Sequence, residues 1–519
     1  MSLKQMKNLF VMILCAVFVL SVPVATYAGD GDETFERSFD LRVDAGTPEY
    51  STLDELTGKT VGVVQGSIHP NLATENIEDV KLNYYNTQSD MIEALLTNKV
   101  DAICVDEVGG RDILKENSNL SYVPECLSIE PFAAIFGKTD SGDKLRGEFD
   151  EFIEALKADG TLDELFETWE YNDGEVPQVD EASSLPADNG TVKLAVNAVV
   201  PPVMYVADGQ ITGFEMDIAT RFCKEYGYGL EVTDMNFDAL IASVTTGKSD
   251  MSLACFAITK EREKSVIFSM PYMESRVIVL TRSIDTVSDG SFISHITDSF
   301  RKTFIREGRW KLFVQGVVNT LVIMGIAVIA GTALGFLLYM LCRGGNPVAN
   351  GITSVFAWLI HGMPVVVLLM ILYYIVFGSA DISGIAVAVI AFTLIFGLGV
   401  FTMLKNAVST VDKGQFEAAY ALGFSDTRTF FKIILPQAMP QFFPVYKGEI
   451  VSLIKATAVV GYIAVQDLTK MGDIVRSRTY EAFFPLIAVA VIYFALEWLL
   501  AFVVSRVEIK TKRKRMPQK

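Results

Sequence analysis

No Gly-x-x-x-x-Gly-Lys-Ser/Thr run occurs anywhere in the 519 residues. Wrapping a nucleotide's phosphates takes such a loop of backbone N–H groups, so this chain is not expected to hydrolyse ATP or to be an enzyme. The six cysteines have no metal-ligand or redox spacing. Cys15 lies in an apolar leader, Cys342 at a membrane edge, and Cys104, Cys126, Cys223 and Cys255 are scattered between. Buried thiols are the default expectation, a disulfide stays allowed, and no metal or cofactor is expected. The sequence also lacks a basic face interleaved with aromatics, which argues against nucleic acid as a partner.

What is present divides the chain. Half of the residues are hydrophobic, mean hydropathy is +0.34, and the formal net charge is −18. Up to Trp310 there are 26 Lys and Arg against 52 Asp and Glu; beyond it there are 18 against 10. An acidic, water-soluble front is joined to a basic, apolar back. Residues 1–28 have the make-up of a secretion signal, with Lys4 and Lys7, an apolar run over 9–20, and a small-residue exit at Thr26-Tyr27-Ala28. The acidic front half beyond Ala28 is therefore expected outside the cytoplasm.

Five apolar segments come after Trp310, at 312–341, 352–378, 384–404, 446–466 and 483–505, each near the ~20 residues that cross a bilayer. Lys455 interrupts the fourth, and an ionisable group there is expected to face the bundle interior. Five crossings that start outside end inside. The tail at 507–519, with Lys510, Lys512, Arg513, Lys514 and Arg515, is then cytoplasmic, as the positive-inside rule asks. The same count puts 405–445 on the cytoplasmic side. Lys470, Arg476 and Arg478 fall outside and weigh against it.

Residues 417–436 read as two short amphipathic helices broken at Gly423, with Pro436 closing the second. Glu417-Ala418-Ala419, then Gly423, then Ile433-x-Leu435-Pro436 resembles the coupling loop in permease subunits of ATP-binding cassette importers. Gly316-Val317-Val318-Asn319-Thr320-Leu321, His361-Gly362-Met363-Pro364 and Ser452-Leu453-Ile454-Lys455 resemble the polar amino acid permeases of that family. The resemblance covers nearly all of 311–506. It implies an all-α, five-span type I importer permease domain there. It also implies a separate ATP-binding cassette ATPase docking on Glu417, Ala418, Ala419, Gly423, Ile433, Leu435 and Pro436, and a homodimer of this chain in the lipid bilayer.

In the front half, two blocks at 48–175 and 191–283 alternate strand-like and helix-like patterns. An acidic linker at 176–190 joins them, and a second linker covers 284–310. The alternation implies parallel sheets with covering helices. Thr161 and Glu164 have capping-box spacing for the helix ending at Trp169, and Gly213-Phe214-Glu215-Met216-Asp217 leads into another helix. Ile258-Thr259-Lys260-Glu261-Arg262 and Phe268-Ser269-Met270-Pro271-Tyr272 resemble lobe one of family 3 polar amino acid binding proteins. The first block resembles their lobe two and the return to lobe one. The expected fold is therefore an α/β two-lobed, periplasmic-binding-protein-like domain, circularly permuted, followed by the permease. A tandem of two decayed domains is the alternative.

The same resemblance implies a site. Arg262 would hold the α-carboxylate of a polar amino acid through its two-pronged guanidinium. Ser67 and Ile68 would add backbone N–H groups at a helix N-terminus, Asp106 would take the ammonium, and Phe237 would pack on the side chain. Cys255 and Asn197 complete the set. Local readings stand beside these: Arg262 paired with Glu261 or Glu263, Asp106 and Ser67 as caps, Phe237 as core. Ala257, Asn197 and Val200 depart from the family pattern, so side-chain specificity does not carry over. The function implied is ATP-driven uptake of a polar amino acid bound outside the membrane. The rival is an amino-acid-gated channel or receptor.

Overall fold

The computed structural model describes residues 41, 43, 45–170, 176–207, 209–285, 292–345, 347–378, 380, 382–481 and 483–513. The leader at 1–28 and the last tail residues, 514–519, lie outside them.

The first block supplies strands β1 (Thr60–Val64), β2 (Lys81–Tyr85), β3 (Ala102–Asp106), β4 (Leu120–Phe132) and β5 (Ile135–Gly137). Its helices are α1 (His69–Asn76), α2 (Gln88–Leu96), α3 (Glu107–Glu116), α4 (Asp140–Asp159) and α5 (Thr161–Glu170). The second block adds β6 (Thr191–Val196), β7 (Val199–Val200), β8 (Met204–Ala207), β9 (Gln210–Thr212), β10 (Gly229–Asp234), β11 (Met251–Leu253), β12 (Val266–Phe268) and β13 (Met273–Arg282). Its helices are α6 (Phe214–Glu225), α7 (Phe237–Thr245) and the single turn α8 (Lys260–Glu263).

One sheet runs β2-β1-β3-β13-β4 and the other β10-β6-β11-β5-β12; β7, β8 and β9 form a small meander. Each large sheet takes one strand from the other block. β13 joins the first-block sheet antiparallel to β3 and β4, and β5 joins the second-block sheet antiparallel to β11 and β12. The cores depend on that exchange. Val277 and Val279 of β13 pack with Val61, Val63 and Cys104, while Phe136 of β5 meets Phe149 of α4, which meets Phe222 of α6. The sheet holding β5 and β10 is lobe one; the sheet holding β1 and β13 is lobe two. The chain crosses between them at 133–134 and 269–272. There Ser269 N–H donates to Ala134 O at 2.9 Å and Tyr272 N–H to Phe132 O at 3.0 Å.

α4 is amphipathic as its spacing requires, burying Leu145, Phe149, Phe152, Ile153 and Leu156. The Thr161–Glu164 capping box does not form. Gly160, at φ +82°, ends α4 in the left-handed conformation, α5 begins at Thr161 itself, and Asp159 accepts the Thr161 N–H at 2.9 Å.

The back half starts with α9 (Phe292–Phe300) and a π-turn over Arg301–Ile305, then α10 (Trp310–Cys342). Next come α11 (Pro347–His361), α12 (Val365–Met370), α13 (Gly384–Ser409), α14 (Lys413–Ala421), α15 (Asp426–Thr429), α16 (Leu435–Ala456), α17 (Leu468–Thr479) and α18 (Phe483–Arg513). Among the described residues, three helices are long and apolar enough to cross a membrane: α10, α13 and the Phe484–Arg506 stretch of α18. Two bent pairs make five if each is one span. The segment expected at 352–378 is such a pair: α11 and α12–Val376 meet at 111°. Pro364 brings no N–H and disfavours helix in the residue before it, so the rod breaks there. The fourth segment runs through α16 and a 3-10 stretch, Thr457–Ile463, then bends by 58° into α17.

Two local expectations change. Pro436 does not close a short helix. It stands in the first turn of α16, inside the continuous 426–463 rod, and the π-turn at Phe430–Ile434 widens the hydrogen-bond ladder ahead of it. Lys455 does not point into the bundle of the single chain. Its side chain is 62% exposed and pairs with Glu497 of α18 at 3.0 Å, so a neighbouring helix supplies the compensation.

α10 and α13 cross closely because glycines meet there. A Cβ on Gly331 would lie 3.1 Å from the Gly397 nitrogen, and one on Gly335 2.6 Å from the Gly397 oxygen. Small residues at a crossing let backbones approach without a hydrophobic driving force.

A cleft between two lobes

A cavity of about 1200 Å³, its mouth included, lies between the lobes. It is lined by all seven residues expected around the ligand: Arg262, Asp106, Ser67, Ile68, Phe237, Cys255 and Asn197. Lobe two brings Asp106, Ser67 and Ile68 at the ends of β3 and β1; lobe one brings the rest.

Arg262 is held by its own turn. Thr259 caps α8 by accepting the Arg262 N–H at 3.2 Å, which aims the side chain inward, leaving the residue 9% exposed. The guanidinium donates to Ala257 O and, across the cleft, to Gly66 O, both at 3.0 Å. It lies over the stacked rings of Phe237 and Phe256, 5.7 and 5.4 Å from their centroids. Burial lowers its pKa, and the Asp106 charge works against that shift. It is not paired with Glu261 or Glu263 as a surface turn would have it.

Asp106 is the N-cap residue of α3 but makes no capping bond. Its Oδ1 lies 3.3 Å from His69 Nε2. Ile68 is the N-cap residue of α1. The Ser67 N–H is bonded to Val64 O at 3.3 Å and its hydroxyl donates to the same oxygen at 2.7 Å, so that N–H turns inward here. Asn197 donates to Met235 O at 2.8 Å. Cys255, at φ +51°, gives its N–H to Glu215 Oε1 at 2.8 Å. Cys104, Cys223 and Cys342 are buried free thiols, whereas Cys126 is free and exposed.

Several cavity residues carry no signal in the sequence. His69 and Glu215 belong to local strings that read only as helix starts. Lys470, Asp473 and Ser477 come from α17, in the permease half. Glu215 is wholly buried, accepts a bond from the Tyr272 hydroxyl, and its second oxygen meets no protein donor. Burial pushes its carboxyl up to about 7, against the pull of Tyr272 and Cys255.

At the other end, α14 and α15 are separated by Gly423 at φ +78°. Glu417, Ala418, Leu422 and Gly423 are exposed, Ala419 is buried, and Ile433, Leu435 and Pro436 are half-buried. Tyr420 donates to Asp426 at 2.8 Å, and Arg343 at the end of α10 lies 4.8 Å over the Phe430 ring. The turn is braced from both sides while its tip stays open.

A two-lobed receptor domain built into a membrane permease is what this fold and cleft define. A family model for bacterial extracellular solute-binding proteins, family 3, matches residues 192–449. That span runs beyond β13 into the membrane helices and omits the first block, which nonetheless completes both sheets. The chain is 34% identical over 201 residues to a putative glutamine transport system permease protein GlnP of Rickettsia typhi, covering 38% of this chain and 91% of that one. It is 32% identical to the arginine transport system permease protein ArtQ of Bacillus subtilis over 209 residues, 38% and 92% of the two chains. It is 29% identical over 201 residues to the L-cystine transport system permease protein TcyL of the same organism, 36% and 84%. The chain belongs to the amino acid permease family of ATP-binding cassette importers, with a family 3 binding part in the same polypeptide.

Proposed function

We propose that the cleft binds a polar amino acid, Arg262 holding its carboxylate and Asp106 its ammonium, with Phe237 against the side chain. Ser67, Ile68, Asn197 and Cys255 shape the same pocket. The domain is a circular permutation of the family 3 order, with lobe two and the returning segment first. Two copies of the chain form the pathway, a separate ATPase docks on 417–436, and the C-terminus is cytoplasmic. The observation that carries this reading is that Arg262 and Asp106, from different lobes, face one cavity which Arg262 already spans through Gly66. A guanidinium and a carboxylate across a cleft match the two charges of an α-amino acid. The relatives' names, glutamine, arginine and cystine, are all of that class.

The test is the thermal stability of the full chain in lipid nanodiscs with each of the protein amino acids and cystine at about 1 mM. At least one should raise Tm by a few degrees, as ligand well above its Kd must, and Arg262→Met should erase that shift. A flat response across the panel, or an undiminished shift in the variant, would remove the amino acid site.

A further inference from the structure

By sequence α17 is permease; in space it is part of the cleft. Lys470, only 4% exposed, pairs with the buried Asp234 at the end of β10 in lobe one, at 3.2 Å. Two turns on, Arg476 meets Asp90, in the first turn of α2 in lobe two, at 2.5 Å, and reaches Asp473 at 3.3 Å. One helix thus makes an ion pair with each lobe. Lys470, Asp473 and Ser477 fall at i, i+3 and i+7, a single helical face, and all three line the cavity that Arg262 and Asp106 line.

That face is fixed in orientation. Asp467 caps α17 by accepting the Thr469 and Lys470 N–H groups at 3.1 and 3.0 Å. The start of α10 holds the same corner: Asn319 donates to Gln466 O at 2.8 Å and Thr320 accepts the Leu468 N–H at 3.3 Å. A Cβ on Gly316 would lie 2.7 Å from the Leu468 Cα, so no larger residue fits there. Beyond the C-terminal end, Tyr480 is buried in the lobe-two core with Met91 and Leu95.

Building on the amino acid reading above, we propose that α17 is a third wall of the ligand site. The permease half presents Asp473 and Ser477 to the ligand's side chain, and the two flanking ion pairs hold the lobes closed while the receptor is docked. Lys470 is committed to Asp234 and Arg476 to Asp90, so Asp473 is the carboxylate this face turns to the cavity, beside its contact with Arg476, and this end of the cavity selects a side chain ending in N–H donors, an amide or a cation.

Equilibrium binding of radiolabelled L-arginine and L-glutamine to the full chain in nanodiscs tests this. Asp473→Asn is isosteric and should weaken L-arginine by about tenfold, the size of a lost hydrogen bond to a charged group, and L-glutamine by less. Ser477→Leu should weaken both by about tenfold or more through lost space. Both variants binding both probes within about twofold of wild type, while Arg262→Met binds neither, would reduce α17 to a docking strut and leave the amino acid site standing. Arg262→Met binding as wild type would bring down the site reading and this inference with it.

Discussion

Glu215 is the least comfortable side chain in the cleft. It is wholly buried, and its carboxyl is raised from the usual range to about 7 by desolvation. Between about pH 4.5 and 7 the unfolded chain has released this proton and the folded chain keeps it, so stability falls as pH rises through that window. The loss amounts to about 3 kcal/mol. Glu215→Gln should remove that much of the slope, so thermal melts of the full chain from pH 4.5 to 7.5 should run flatter for the variant than for wild type; parallel curves would refute it. In the sequence Glu215 shows only as part of a helix start. Its partner Tyr272 is far along the chain, and no local pattern signals a contact closed only by the fold. Arg262 is legible for the opposite reason: its turn, its cap and its direction are all written within Ile258 to Arg262.

Among the elements, hydrophobic runs announce the spans but say nothing of direction. The 111° break at Pro364 and the bend into α17 leave the apolar count unchanged. The crossing of α10 and α13 depends on residues whose merit is the absence of a side chain. Gly335→Leu would drive a side chain into the Gly397 backbone and Val400, and overpacking of that kind costs about 1–3 kcal/mol or more. The variant should lose its cooperative melt or show a clearly lowered Tm in detergent, while a control glycine of the same helix whose Cβ would meet nothing within 4 Å, Gly325→Leu, should not. The cations of α17 mislead in the same way. Lys470, Arg476 and Arg478 count against the topology because a charge rule weighs sequence alone. In the fold they answer Asp234, Asp90 and Glu307.

Across the whole molecule, the proposed docking turn and the cleft stand at opposite ends of one rod system. The 426–463 rod begins beside the exposed 417–423 turn and ends at the corner from which α17 departs into the cleft. Leu422, 76% exposed at the tip, is an apolar group suited to a partner's groove. Leu422→Asp should abolish amino-acid-stimulated ATP hydrolysis by the partner ATPase in proteoliposomes while leaving amino acid binding unchanged; stimulation at the wild-type level would argue that docking lies elsewhere. The two-body architecture is legible because charge and hydropathy change together near Trp310. That both bodies line one cavity is not, since it depends on a short permease helix entering a domain written hundreds of residues earlier.

Because receptor and permease are one polypeptide, the receptor never diffuses away. A covalent connection of this kind holds a released receptor at an effective concentration on the order of millimolar, so the contacts at α17 have no need to resist dilution. They can be set for rapid release instead. Moderate salt, which shields charges over roughly 8–10 Å, would loosen the partly exposed grip of Arg476 on Asp90 without losing a single receptor to the medium, and uptake would owe nothing to how much binding protein a cell secretes.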